Sequence, residues 1–183
     1  MRYLVPLCQG LLAVVLVVSA TSKLRSVQAL RAFTQSLSSM QLVRATQARP
    51  VAIALAAAEA IVAALLLLPA TRDAGFAGAA TLLAVLTGGV AVVISRGTAQ
   101  PCRCFGDSST PLSWRHLIRN LLLCAAATAA IAAPHGEPPL PGTLVALFAG
   151  AVVGLLVTAM DDLVALFAPT SPTPPPEETP WRT

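Results

Sequence analysis

The sequence predicts an all-α, polytopic membrane protein, a transmembrane bundle of about five helices. Three observations carry that expectation. Of the 183 residues, 56% are hydrophobic and only 11% are charged, whereas a soluble domain carries roughly 25% charged residues. Mean hydropathy is +0.75. The apolar residues also fall in runs of about 20, the length that crosses a hydrocarbon core of about 30 Å as a helix. Ala, Leu and Val supply the bulk with 4% aromatics, which suits helices in lipid.

The first run extends from Tyr3 to about Ser22. Arg2 ahead of it and Val18-Ser19-Ala20 within it mimic a secretory signal, but the further spans downstream argue for a retained helix. From Arg25 to Arg49 the chain is polar, with Val27, Leu30, Phe33, Leu37 and Met40 at three- and four-residue steps. That spacing predicts an amphipathic helix at the membrane interface or resting on the bundle.

The second and third runs, about Val51–Leu68 and Gly75–Ser95, form a hairpin around Pro69-Ala70-Thr71-Arg72-Asp73, where proline breaks the helix and the charges mark an interface. A fourth covers about Leu117–Ala133 and stops before the proline-rich Pro134–Pro139. The fifth spans Thr143 to about Phe167, with Asp161 and Asp162 as interfacial anchors. Residues 169–183, with five prolines from Pro172 to Pro180, predict a disordered tail. The expected organisation is therefore a membrane bundle over 1–135, an additional transmembrane helix over 136–168 and the tail.

The net charge of +4 is spread between apolar segments rather than gathered on one face, so nucleic acid is not an expected partner and the lipid bilayer is. The basic residues act as topology signals. Lys23, Arg25, Arg31, Arg44, Arg49, Arg96, Arg103, Arg115, Arg119 and Arg182 fall on one side, Arg2 and Arg72 on the other. The positive-inside rule then puts the loop after the third run in the cytoplasm, whereas a thiol pair serving exported proteins belongs in an oxidising compartment.

That loop holds the chain's one strong chemical motif, Pro101-Cys102-Arg103-Cys104-Phe105-Gly106. Two residues of extended chain span about 6.6 Å, the far edge of disulfide geometry. A Cys102–Cys104 bond therefore needs a local turn and would exchange readily. Arg103, with Arg115 and His116 nearby, favours thiolate, and Asp107 opposes it. The pair admits redox exchange, soft-metal binding or an inert role, and zinc finds only His116 as an obvious third ligand. Cys8 and Cys124 lie in apolar runs and read as small buried hydrophobes.

Two ionisable residues lie against the bilayer. Glu59 sits at roughly 13 Å depth in the second run, where an ionised carboxylate needs a partner. Lys23, at the end of the first run, has the reach to supply it, as a structural ion pair or as part of a proton relay.

Taken together, Cys102-Arg103-Cys104-Phe105-Gly106 between two apolar helices resembles the Cys-x-Cys-Phe-Gly signature of MauE-type methylamine-utilisation membrane proteins, relatives of the DoxX group. Ser22-Lys23-Leu24 closing the first helix, Phe33 in the polar segment, and Glu59 ahead of a Leu-rich run are similar to that family's early pattern. The resemblance covers roughly residues 5 to 133. It departs at Arg103, where such proteins often carry glycine, and it does not extend to the fifth helix or the tail.

The resemblance implies a four-helix redox-associated core in the cell membrane, connected with maturation of the disulfide-rich small subunit of methylamine dehydrogenase. The resulting expectation is a multi-pass thiol–disulfide protein. Cys102 and Cys104 react, Arg103, His116, Lys23 and Glu59 support them, and the partner is a thioredoxin-like protein or a cysteine-rich client. No cofactor is implied; a quinone acceptor in the bundle is conceivable but carries no sequence signature. The alternative is a transporter or soft-metal-handling protein with the cysteines as ligands and Glu59 lining a path.

Overall fold

A computed structural model describes residues 2–96, 114–134, 136 and 139–167, and the side chains of that last stretch up to Met160. The described residues are helical without strands: α1 (Leu4–Leu24), α2 (Val27–Ser39), α3 (Ala45–Leu67), α4 (Arg72–Ser95), α5 (Trp114–Ala132) and α6 (Leu140–Phe167). A single 3-10 turn, Pro69–Thr71, joins α3 to α4.

Four segments are long and apolar enough to cross a bilayer: α1, α3, Pro69–Ser95 and Leu140–Met160. The fourth expected span forms a helix, α5, but it is not one of these four, because Arg115, His116, Arg119 and Asn120 crowd its first turns and make it the least apolar of the long helices. It packs along α4 and touches α1, while α1 also packs against α3 and α6. The four-helix core is α1, α3, α4 and α5, with α6 seated on the outside of α1.

The core is aliphatic. Leu12, Val15, Leu16, Leu66, Phe76, Leu83 and Ala127 form one buried cluster with Cys8. Cys8 is 2% exposed, the packing role its apolar run predicts. Between α1 and α3, Gln9 Nε2 donates to the Leu66 carbonyl at 2.6 Å, which ties one end of the bundle together.

The polar segment between α1 and α3 rests on the bundle. Ser26 caps α2 by accepting from the Ala29 amide at 3.0 Å, the usual use of an N-cap hydroxyl. Phe33 and Leu37 turn inward onto Ala52 of α3, which leaves Val27 66% exposed. α2 ends at Ser39, and Gln41 beyond it takes a φ of 52° that turns the chain. The next helix starts at Ala45 rather than near Val51, with Pro50 inside it. Proline removes one backbone donor, a loss that membrane helices tolerate where neighbours re-satisfy the carbonyl.

α6 is held by close backbone approach. A Cβ on Gly150 would meet the Leu7 carbonyl oxygen and lie 2.9 Å from the Leu11 amide nitrogen, and one on Gly10 would meet the Leu147 carbonyl. Small residues permit such contact between membrane helices, and backbone atoms cannot move aside. Gly150→Leu is expected to unseat α6 at a cost of at least about 2 kcal/mol. Gly88→Ala, at a position with nothing within 4 Å, is expected to be neutral. Thermal unfolding in detergent checks both, and equal melting of the two variants contradicts this packing.

Candidate functional site

The expected pairing of Lys23 with Glu59 is present. Lys23 Nζ donates to Glu59 Oε1 at 2.9 Å and Oε2 at 2.8 Å, and to Ser19 Oγ at 2.6 Å. Both charged side chains are 2% exposed. An ammonium carries three donors, and the Ser19 carbonyl is a further, longer acceptor at 3.4 Å. Phe33 of α2 adds its ring face 5.0 Å from Nζ, within the range of a cation–π contact.

Helix geometry makes the cluster. Ser19 and Lys23 are four residues apart on α1 and so share a face. Lys23 lies in the last turn of α1, where the helix dipole favours a cation. α3 brings Glu59 opposite, and α2 folds across to close the pair with Phe33. Desolvating two charges is expensive, and the pair compensates only because its hydrogen bonds are made.

Beside the pair is a cavity of about 280 Å³. Its walls are apolar, with Leu16 from α1, Phe33 and Leu37 from α2, Met40 just beyond it, Leu55 from α3 and Leu86 from α4. Ser19, Glu59 and Asn120 are the polar residues of its lining. Val85, on its rim, is 62% exposed, so the cavity opens on the side of α4.

α5 contributes a polar face that the sequence reading did not assign to the interior. His116, Arg119 and Asn120 are 5%, 4% and 7% exposed. His116 and Asn120, four residues apart, share one face. Arg119 borders a second groove lined by Leu11, Val153 and Val157. Lys23 and Arg119 are therefore interior groups rather than loop charges, and the remaining basic residues keep the same asymmetry.

Cys102, Arg103 and Cys104 lie outside the described residues. Their loop leaves α4 at Arg96, whose Nη1 donates to the Gln41 carbonyl at 3.4 Å, and returns at Trp114 of α5. Arg96, the last described residue before it, thus lies at the end of the bundle where α2 turns into α3. His116 lies in the first turn of α5 and is buried. Cys124 sits deeper on α5, half-buried, with its Sγ 4.0 Å from Thr87 Oγ1 of α4.

Comparison with known proteins agrees with this architecture. A family model described as Methylamine utilisation protein MauE matches residues 1–133, which takes in α1 to α5 and the cysteine loop. Methylamine utilization protein MauE of Paracoccus denitrificans is 32% identical over 159 residues, covering 86% of this chain and 81% of its own length. No solved structure matches. With its buried Lys23–Glu59 pair inside a helical bundle that spans the membrane several times, the chain belongs to the MauE family.

Proposed function

We propose that this protein is an integral membrane thiol–disulfide exchanger of methylamine utilisation that aids maturation of a disulfide-rich client. The observation that carries the proposal is the pair Cys102 and Cys104, separated by Arg103 alone, within the segment that the MauE match covers. The pathway is taken from the relative's name. In the forward step, one thiolate attacks a disulfide sulfur of the partner, whose S–S bond breaks and whose other sulfur leaves as a thiolate, giving a mixed disulfide. The second thiolate then displaces the partner's thiol and closes the Cys102–Cys104 bond, so the partner is reduced and the pair oxidised. Run in reverse, the same steps oxidise a client dithiol. A guanidinium next to both cysteines in the sequence favours the thiolate form that this chemistry needs.

Removing the resolving thiol tests this. With Cys102→Ala or Cys104→Ala in a chain that also lacks Cys8 and Cys124, one of the two is expected to accumulate a mixed disulfide with a thioredoxin-like protein or a cysteine-rich client. The adduct should migrate as a larger species on non-reducing gels and vanish with reductant. Absence of an adduct from both variants, with copper or zinc retained by the purified protein, would favour the soft-metal alternative instead.

A further inference from the structure

The thiol-exchange steps proposed above make no use of the cavity beside Glu59, which combines an exposed apolar rim with a few polar lining residues. We infer that it binds the head of a neutral, membrane-soluble quinone.

The access route gives the first argument. Val85 lies within the membrane-spanning stretch Pro69–Ser95, and it both lines the cavity and stands 62% exposed. A ligand entering there comes from the hydrocarbon layer. The walls, which include Leu37, Met40, Val51, Leu55 and Leu86, suit an aliphatic tail and the faces of a ring.

The polar lining residues give the second. The charges of Lys23 and Glu59 cancel at 2.8 Å, so nothing there calls for a phosphate or another anion. A neutral head fits. The Asn120 amide both donates and accepts, and an ionised carboxylate accepts only. Asn120 therefore complements a ring carbonyl, and Glu59 complements the hydroxyl that the reduced ring carries. A quinone–quinol couple presents both groups.

The volume supplies the third. About 280 Å³ is near the lower bound of ordinary small-molecule pockets, roughly 300 Å³, enough for a substituted ring and the start of a tail.

The full chain, purified in detergent, is titrated with decylubiquinone, and protein-free micelles correct for partitioning. Saturable binding is expected. Gly89 lines the cavity, and a Cβ there would meet only Leu42 Cδ1, at 3.4 Å. Gly89→Leu therefore extends into the space without pressing on backbone and is expected to weaken binding more than tenfold. Val85→Trp, at the exposed rim, is a second blocking variant. Asn120→Leu is expected to weaken binding about tenfold, the value of one hydrogen bond. Each variant is checked for unchanged thermal unfolding.

Excess dioleoyl phosphatidylcholine is expected not to displace the quinone. The Cys102→Ser/Cys104→Ser double variant is expected to bind like the wild type, so this assignment stands or falls apart from thiol exchange. Non-saturable uptake, equal binding by wild type and both blocked variants, or displacement by the phospholipid would overturn it; the last result would make the cavity an acyl-chain slot.

Discussion

Glu59→Ala or Lys23→Ala is expected to destabilise the bundle by about 3–5 kcal/mol, because each leaves the other charge buried without its counter-ion. The burial is nearly complete on both sides, at 2%, so water cannot replace the missing partner. Removing both charges together is a different experiment. Lys23→Met with Glu59→Leu substitutes side chains of similar bulk, and the double variant is expected to recover most of the lost stability. Thermal unfolding in detergent reads all three. If the single variants melt within about 0.5 kcal/mol of the wild type, the size of an ordinary surface substitution, the pair is not a structural element. If the double variant is stable but inactive in thiol exchange, the pair has a role beyond the fold. Glu59→Gln, which keeps shape but not charge, then separates a proton relay from simple packing.

Cys102→Ser and Cys104→Ser are each expected to lower exchange with a thioredoxin-like protein by at least about two orders of magnitude, since thiolate is the nucleophile and a hydroxyl does not replace it. The corresponding changes at Cys8 and Cys124 form the control. Cys8 is packed among Leu12, Val15 and Phe76, and Cys8→Ala is expected to cost stability of about 1 kcal/mol without loss of exchange. Growth on methylamine in a host lacking its own copy gives the same comparison in cells. Retained exchange in the Cys102→Ser/Cys104→Ser double variant would remove the pair from the mechanism.

The helices were legible because lipid imposes a simple length rule, and each apolar run was long enough to meet it or nearly so. Boundaries were less so. The polar stretch Ala45–Arg49 ahead of Pro50 carries no apolar period, yet it is the first turn of α3, because α2 packs back onto Ala52 and holds it. The Lys23–Glu59 pair was readable for a physical reason: an ionisable group deep in an apolar helix demands a partner, and one was within reach.

Asn120 and Arg119 were not readable in the same way. A helix with polar residues in its first turns can direct them to solvent or to a neighbour, and only the packing of α5 against α4 and α1 decides. The cavity could not have been anticipated either, since its lining comes from α1 to α5 at once. The seat of α6 had a signal that went unused, the four-residue spacing of Gly150 and Gly154 in Gly150-Ala151-Val152-Val153-Gly154.

The most direct test of thiol–disulfide exchange is differential alkylation of Cys102 and Cys104 in intact cells, in a chain lacking Cys8 and Cys124. A membrane-impermeant reagent is applied before and after mild reduction, with a permeant reagent in parallel and single-cysteine variants as controls. Thiol exchange predicts that labelling of both positions rises after reduction, because part of the population holds the disulfide, and the reagent that sees the rise identifies the side of the membrane. Full labelling by the permeant reagent before reduction, with nothing gained afterwards, would show two permanently free thiols and contradict the account.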